Sequence, residues 1–215
     1  MRRAAPSTCD APLFVFLWRR FAAESMAHGQ GEQRQRLLDG LAGRVVEVGA
    51  GQGLNFPYYP RTVTEVVAIE PENRLRADAE EAAKTASVPI EAIAGSAVAL
   101  PADDGAFDAA VSSLVLCSVD QGPALAELHR VIRPGGELRF LEHVAADTQP
   151  LVTLQWLIDP LWSRLGGGCH LIRDTETAIG LAGFRIERME RFIFKPNALA
   201  GLGSPHILGV ARRES

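Results

Sequence analysis

The sequence predicts an α/β protein with a seven-stranded sheet, an antiparallel last strand, helices on both faces and a small helical cap. Apolar strand-like runs alternate with helix-forming segments along most of the chain, which is typical of a parallel sheet. The last two strand-like runs, 184–194 and 205–213, are joined by a Pro/Gly/Asn-containing loop without a helix. Two consecutive strands of this kind indicate an antiparallel pair that closes the sheet edge.

The elements follow one another in chain order. Phe14, Leu17, Trp18 and Phe21 recur at helical spacing and predict an N-terminal helix that packs against the domain or the substrate. A polar helical stretch then leads to the first strand. The other predicted elements are strands at 44–48, 65–70, 89–95, 107–113 and 137–144, and helices at 72–86, at 123–132 and from Asp174 onward.

The predicted domain organisation is an N-terminal helical segment, 1–43, followed by one domain over 44–215. Within that domain, residues 145–173 form an insertion with two tryptophans, an Asp-Pro break and three successive glycines. The insertion is either an extra helix packed on the core or a substrate cap. The cap is favoured because the insertion leaves the carboxyl end of a central strand, where open α/β sheets bind ligands.

The amino-acid composition and the net charge indicate which kind of partner the protein binds. The 215 residues are 47% hydrophobic and 22% charged, and the formal net charge is -4. This chain can bury a sizeable core, and its acidic balance argues against nucleic acid and favours a small-molecule partner. We expect a monomer or weak dimer.

The spacing of the cysteines and the hydropathy of the N-terminus indicate the cellular compartment of the protein. The three cysteines are far apart, and no Cys/His spacing is typical of zinc, so we expect a reduced cytoplasmic protein without a metal. The apolar run 11–18 is too short to span a bilayer and has no convincing cleavage site after it. We therefore expect neither a membrane span nor a signal peptide, and peripheral membrane contact stays open.

The turn after the first strand predicts the cofactor. Its sequence from Glu47 to Gly53 is E-V-G-A-G-Q-G, and Leu54 stands where a dinucleotide fingerprint needs glycine. No Gly-Lys-Ser/Thr follows, so a phosphate loop is excluded. Glu70 ends the second strand, where a carboxylate can bind ribose hydroxyls. Glu47 would repel phosphate but suits an ammonium group, which favours S-adenosylmethionine; the alternative is a helix-capping or surface carboxylate.

Five segments carry a family resemblance. VVEVGAGQGLN, VVAIEP, SSLVLCSV, LHRVIRPGGELRFLEHV and PHILG resemble the class I S-adenosylmethionine-dependent methyltransferases, and in particular the methyltransferase-like thiol S-methyltransferase group. The resemblance runs from about residue 44 to the C-terminus. It implies a Rossmann-like fold, S-adenosyl-L-homocysteine as the product, and transfer of a methyl group to the sulfur of a small thiol, dithiol natural products included.

Two departures from the family pattern are visible. Ser96 follows Gly95 where many members of the superfamily carry aspartate, which bears on the adenine contacts. The eukaryotic members also have a longer hydrophobic N-terminal anchor, so membrane attachment is not carried over. The residues expected to bind the cofactor are Glu47, Gly49, Gly51, Gly53, Asn55, Glu70, Pro71, Gly95, Ser96, Ala97, Ser113 and Leu114.

Methyl transfer requires alignment and a nucleophile with an available lone pair. A histidine base would raise the thiolate fraction of a thiol substrate. We expect the catalytic residues to be His143, Asp159 and His206, with His143 and Asp159 as a carboxylate–imidazole pair; a structural role for each histidine stays open. The expected substrate pocket consists of Phe14, Trp18, Cys117, Trp156, Trp162 and His170.

Two other functions fit the same residues. An O- or C-methyltransferase acting on a phenol, quinone or polyketide would use the same cofactor site. A catalytically silent module that binds S-adenosylmethionine is the alternative from another class. The glycine turn favours the cofactor in all three cases, so only the acceptor residues discriminate among them.

Overall fold

The computed structural model of the chain describes residues 9–196 and 204–214. Its centre is one seven-stranded sheet with the order β3-β2-β1-β4-β5-β7-β6. The pairs from β3 to β5 are parallel, whereas β7 runs antiparallel to both β5 and β6. The predicted sheet with an antiparallel last strand is therefore confirmed. The strands are β1 (Gly43–Val48), β2 (Val63–Ile69), β3 (Ile90–Ile93), β4 (Phe107–Ser113), β5 (Ile132–His143), β6 (Phe184–Ile193) and β7 (Pro205–Arg213).

Helices cover both faces of this sheet. They are α1 (Pro12–Ser25), α2 (Gly31–Leu38), α3 (Asn73–Ala83), α4 (Gln121–Val131), α5 (Gln149–Leu165) and α6 (Thr175–Leu181). A π-helical turn, Met26–Gln30, joins α1 to α2, and a short 3-10 helix covers Phe56–Tyr58. In the part of the chain that the structure covers, none of these helices has the length and apolar character needed to cross a membrane.

Alternating side chains of the strands build two separate cores. Val46, Val67 and Ala110 lie in the core shared with α4 and α6. Their neighbours, beginning with Val45 and Val66, lie in the core shared with α2 and α3. Each fully buried apolar side chain contributes about 1.5–3 kcal/mol. Burial on both faces holds the strands in place, so the loops at their carboxyl ends stand on a rigid base.

The start of β5 differs from its predicted position at 137. Ile132 already pairs with Phe107, and the register then shifts until Glu137 pairs with Ala109. Residues 133–136 therefore bulge out of the ladder, and the Arg-Pro-Gly-Gly stretch lies within the strand rather than before it.

The buried face of α1 also differs from the predicted one. Val15 and Ala22 are its buried apolar residues, whereas Leu17 is 39% exposed. Phe14 and Trp18 are half-buried. Leu17 was predicted to pack, and that prediction is wrong. The side of α1 that faces the domain carries Val15 and Ala22, and Leu17 lies outside it.

The insertion folds mainly as one helix. α5 continues through Pro160, so the predicted Asp-Pro break is absent from this helix. Proline removes the hydrogen bond to the carbonyl four residues earlier, which belongs to Trp156. Trp156 lies on the exposed side of α5, where water can hydrogen-bond that carbonyl, so the helix tolerates the proline.

Candidate functional site

The glycine turn after β1 requires glycine for conformational and steric reasons. Gly49, Gly51 and Gly53 have φ values of 60°, 58° and 78°, in the left-handed region. A Cβ atom on Gly49 would lie 2.4 Å from Cγ2 of Val115, and one on Gly53 would lie 2.7 Å from the Phe56 ring. At Gly51 the nearest atom is the indole nitrogen of Trp18, at 3.5 Å. Side chains of the protein interior, Val115 and Phe56, therefore pack directly against the backbone of the turn.

Glu70 ties this turn to the end of β2. Its Oε2 accepts a 2.8 Å hydrogen bond from the N–H of Gly51, and its Oε1 accepts one of 2.9 Å from the N–H of Glu72. The carboxyl group is buried, and this burial raises its pKa. Pro71, the next residue, accepts a 3.0 Å hydrogen bond from the N–H of Cys9. The segment before α1, which contains Cys9, therefore lies beside Glu70, the residue that was predicted to bind ribose.

A buried polar network lies beside the turn. Glu47 accepts hydrogen bonds from Nδ2 of Asn55 at 2.8 Å and from the Tyr59 hydroxyl at 2.7 Å. Burial raises the pKa of Glu47 to about 7. The Arg34 guanidinium in turn donates to Oδ1 of Asn55 at 2.7 Å and to the Ser113 hydroxyl at 3.3 Å. Glu47 is therefore a buried carboxylate, not the surface carboxylate of the alternative interpretation.

Arg34 and Tyr59 were missed by the sequence analysis. Arg34 lies in a polar helix far from the glycine turn in sequence, and no motif marks it. Burial lowers the pKa of its guanidinium to about 10. The network therefore presents a carboxyl group and a guanidinium on opposite sides of Asn55, a pairing suited to the ammonium and carboxylate of an amino acid.

The predicted adenine loop also lies at this edge of the sheet. It follows β3, and the N–H of Glu70 donates a 3.0 Å hydrogen bond to the carbonyl of Ile93. Ser96 accepts from the N–H of Val98 with its hydroxyl at 3.4 Å. A Cβ atom on Gly95 would lie 2.8 Å from Ile69, so the loop packs closely on β2. Ala97 is buried beside these residues.

The loop after β4 is strained and anchored. Leu114 has a φ of 61°, which only glycine adopts readily, and its N–H donates to the carbonyl of Leu141 at 2.7 Å. Glu142 accepts hydrogen bonds from the Ser112 hydroxyl at 2.6 Å and from the N–H of Cys117 at 3.3 Å. Burial raises the pKa of Glu142 to about 7. Glu142 was not among the predicted residues, although it lies within the quoted segment LEHV.

Two cysteines and a histidine meet at the carboxyl ends of β4 and β5. Nδ1 of His143 lies 3.6 Å from Sγ of Cys169, and the side-chain ligand atoms of Cys117, His143 and Cys169 all lie within 4.8 Å of one another. The Cys117 thiol and the His143 imidazole lower the pKa of Cys169, while the contact with Cys169 and burial raise that of Cys117. Their spacing in sequence gave no sign of this cluster.

Asp159 pairs with a different histidine from the predicted one. Its Oδ2 lies 2.7 Å from Nδ1 of His170, and its Oδ1 accepts a 2.6 Å hydrogen bond from the N–H of Leu171. The predicted His143–Asp159 pair is therefore wrong in its partner, because both carboxylate oxygens are bound to residues 170–171. The N–H of His170 donates to the carbonyl of Cys117 at 2.8 Å, which places the Asp159–His170 pair next to the thiol cluster.

His206 occupies an apolar position on β7, opposite His143 in the strand register. Its Nδ1 lies 2.9 Å from the carbonyl oxygen of Ser204, and its ring centroid lies 5.6 Å from that of Phe192. Burial lowers the pKa of His206 to about 4. The ring is therefore neutral at pH 7 and a weak proton acceptor.

The aromatic residues of α1 connect the glycine turn to the cap. Phe14 and Trp18 stack with ring centroids 6.1 Å apart. A Cβ atom on Gly167 would lie 2.2 Å from the Phe14 ring, while Trp18 faces Gly51. These two predicted pocket residues therefore lie between the glycine turn and the 145–173 insertion.

The two cap tryptophans have different positions. Trp162 is half-buried, and a Cβ atom on Gly166 would lie 3.4 Å from its indole nitrogen and 3.5 Å from Cβ of Cys169. Trp156 is 64% exposed. The expectation that Trp156 forms a pocket wall is wrong, because the helical turn that carries it faces outward.

Comparison with known proteins decides the family. Residues 46–140 match the family model described as a methyltransferase domain. The thiol S-methyltransferase TMT1B of Homo sapiens is 36% identical over 187 residues, which are 81% of this chain and 73% of that protein. The chain belongs to the class I S-adenosylmethionine-dependent methyltransferases.

A second relative and a solved structure of the same fold extend this result. The methyltransferase is 34% identical over 209 residues to the thiol S-methyltransferase TMT1A of Homo sapiens, covering 93% of this chain and 84% of that protein. The crystal structure of geranyl diphosphate C-methyltransferase from Streptomyces coelicolor A3(2), which contains Mg²⁺, geranyl diphosphate and S-adenosyl-L-homocysteine, superposes with a TM-score of 0.66. At 16% identity, covering 86% of this chain and 76% of that one, it shows the shared fold.

S-adenosylmethionine is the cofactor of this methyltransferase. The residues of the structure fit it. The left-handed glycines leave a turn without side chains, and Glu70 stands at the end of β2, where ribose hydroxyls bind in such sheets. The buried Glu47 and Arg34 are a carboxyl group and a guanidinium beside the glycine turn, which matches in chemistry the ammonium and carboxylate of the cofactor's amino-acid end.

Gly49→Ala is expected to lower the free energy of unfolding by about 2–4 kcal/mol, from the left-handed backbone and the overpacking against Val115. Urea denaturation checks this result. Gly180→Ala is the matched control, because its Cβ atom meets nothing within 4 Å in α6 and alanine favours a helix. Equal stability of Gly49→Ala and the wild type would contradict the steric argument.

Proposed function

We propose that this methyltransferase transfers the methyl group to the sulfur of a small lipophilic thiol, dithiol natural products included. The observation that carries the proposal is the 34–36% identity to two proteins named thiol S-methyltransferases, over 81% and 93% of this chain. The aromatic side chain of Phe14 supports it, since this ring stacks with Trp18 and lies against Gly167, three residues before His170 of the Asp159–His170 pair.

Each part of the cofactor has a group to hold it in this proposal. Glu70 accepts from the ribose hydroxyls, in addition to the two backbone N–H groups it already binds. Glu47 faces the ammonium, directly or through water, and Arg34 faces the carboxylate. Gly95, Ser96 and Ala97 border the adenine. Ser113 and Leu114 position the loop that separates the cofactor from the acceptor.

His170 is the proton acceptor in this proposal. Asp159 binds Nδ1 of its ring, which leaves Nε2 with a lone pair directed away from the carboxylate. The His170 side chain is 38% exposed, so a substrate thiol can reach it. When bound, S-adenosylmethionine supplies an electrophilic methyl carbon that bonds to the thiolate sulfur as the bond to the sulfonium breaks, leaving S-adenosyl-L-homocysteine. Neither His143 nor His206 takes the proton in this proposal.

An acceptor panel tests the proposal. Alkyl and aryl thiols are compared with the alcohols and phenols of the same carbon skeleton, together with a quinol, using methyl-labelled cofactor. We expect kcat/KM for the thiols to exceed that for their oxygen counterparts by at least about 100-fold, because a thiol ionises more readily than the matched hydroxyl group and its sulfur is the stronger nucleophile. Transfer to the phenols or the quinol alone would overturn the proposal in favour of an O- or C-methyltransferase.

His170→Gln and Asp159→Asn are expected to lower kcat for an alkyl thiol at pH 7 by about 100-fold, the usual contribution of a general base. The KM for the cofactor should change less than twofold, since neither residue belongs to the cofactor network. His28→Gln, an exposed histidine on the π-helical turn, is the matched control.

The pH dependence of this defect separates proton transfer from a structural role. An alkyl thiol with a pKa of about 8.5 is mostly thiolate at pH 9.5 and needs no base there. The ratio of wild-type to His170→Gln rates should therefore fall at least about tenfold between pH 7 and pH 9.5. A ratio that stays constant over this range would remove the base role.

A further inference from the structure

Three metal-ligating side chains converge behind the cap. Cys117 lies in the loop after β4, His143 ends β5, and Cys169 follows α5. Their ligand atoms lie within 4.8 Å of one another, and Cys117 and His143 are buried. Two thiols and an imidazole form the soft donor set that zinc prefers.

The distance between the Cys169 sulfur and the His143 imidazole fits a shared metal ion. In a tetrahedral zinc site, with Zn–S of about 2.3 Å and Zn–N of about 2.0 Å, a bound sulfur and nitrogen lie about 3.5 Å apart. Sγ of Cys169 and Nδ1 of His143 lie 3.6 Å apart. A plain thiol–imidazole contact is a weak hydrogen bond, whereas a metal ion shared by Nδ1 of His143 and Sγ of Cys169 would join the two side chains by strong bonds at the same separation.

The backbone holds the two cysteines in place. The Cys117 carbonyl accepts the N–H of His170, and the Cys117 N–H donates to Glu142. A Cβ atom on Gly168, whose φ is 91°, would lie 2.7 Å from the carbonyl oxygen of Ser118. Glycine at this position lets the segment that carries Cys169 approach the loop that carries Cys117. The cluster is therefore preformed.

We propose that Cys117, His143 and Cys169 bind one Zn²⁺ ion through Sγ, Nδ1 and Sγ, with the fourth position open to the thiol of the substrate. Two thiolates balance the charge of the ion, and its binding releases both cysteine protons to solvent. Three protein ligands and an open position are the arrangement of catalytic rather than structural zinc. The assignment of the substrate thiol as the fourth ligand rests on the proposed function. The assignment of the three protein ligands is independent of it.

Cobalt titration tests the site. Co²⁺ is added to the full chain, with a phosphine reductant present so that the thiols stay reduced, and the absorption is recorded. We expect uptake of about one Co²⁺ per chain, with thiolate-to-cobalt charge transfer in the ultraviolet and the intense visible bands of tetrahedral coordination. Elemental analysis after equilibration with Zn²⁺ should give the same stoichiometry.

Variants assign the ligands. Cys117→Ser, Cys169→Ser and His143→Ala should each weaken Co²⁺ binding by at least about 100-fold, while Cys9→Ser, which removes the exposed cysteine, should bind like the wild type. Circular dichroism verifies that each variant is folded. Wild-type protein without charge-transfer absorption, or cysteine variants that bind Co²⁺ like the wild type, would overturn the metal site.

Binding of the substrate thiol to the metal ion can be measured separately. Adding an alkyl thiol without S-adenosylmethionine to the Co²⁺ protein should shift the visible bands, because a third sulfur enters the coordination sphere. An unchanged spectrum in a protein that holds Co²⁺ rejects the fourth ligand but leaves the metal site. Thiol methylation by a protein that binds neither ion rejects the metal site and leaves the proposed function.

Discussion

Glu70→Ala is expected to raise the dissociation constant of S-adenosylmethionine by at least about 100-fold. The carboxylate accepts hydrogen bonds from the N–H groups of Gly51 and Glu72, so its removal frees the glycine turn and deletes the ribose acceptor. Loss of charge-assisted hydrogen bonds worth about 3 kcal/mol corresponds to this factor. Isothermal titration calorimetry measures the dissociation constant directly.

Two further variants make this result interpretable. Glu70→Gln keeps an acceptor oxygen and should bind the cofactor with an affinity between those of Glu70→Ala and the wild type. Glu65→Ala changes an acid on the same strand, paired with Arg44 at the opposite end of β2, and should leave the affinity unchanged. If folded Glu70→Ala bound the cofactor like the wild type, the ribose role of this residue would be excluded.

Cofactor affinity is expected to rise with pH between 5.5 and 7. The buried Glu47 has a pKa of about 7, so it is mostly protonated at the lower end of this window. A bound ammonium favours the carboxylate, and binding therefore expels the proton. The affinity should increase by up to about tenfold per pH unit below the pKa and level off above it. Calorimetry in two buffers with different ionisation enthalpies measures the proton released.

Glu47→Gln is the control for this pH dependence. The amide can still accept from Tyr59 but cannot ionise, so binding should be weaker and nearly independent of pH over the same window. Glu142 also has a pKa of about 7, raised by burial, and lies across the loop after β4. A slope that survives in Glu47→Gln would assign the proton to another group and contradict the proposed ammonium contact.

The sheet and the glycine turn could be predicted because their determinants are local in sequence. Strands buried on both faces are continuous apolar runs, as in residues 66–69, and the left-handed turn needs its glycines at every second position. Glu70 ends its strand at the sheet edge where the turn lies. The alternation of strands and helices predicts parallel strands, and the carboxyl ends of parallel strands lie at one edge of the sheet, so Glu70 and the turn are expected at the same edge.

The acceptor side could not be predicted because it depends on how the cap packs. Asp159 meets His170 rather than His143, and Cys169 takes the place beside His143. No local sequence pattern indicates the direction in which α5 packs after the end of β5. Pro160 predicted a break in this helix, but the helix continues through it. Helical spacing likewise defines an arc of side chains, but the neighbours of the helix decide whether Leu17 or Val15 is buried.

A single acceptor that carries both a thiol and a phenolic hydroxyl group tests the central claim most directly. The wild-type methyltransferase is incubated with this mercaptophenol and S-adenosylmethionine labelled with ¹³C in the methyl group, and the product is examined by NMR. Both nucleophiles compete within one molecule, so binding differences between substrates play no part. We expect the labelled carbon on sulfur, with one S-adenosyl-L-homocysteine formed for each methyl group transferred. Labelled carbon on oxygen or on the ring would contradict thiol S-methylation.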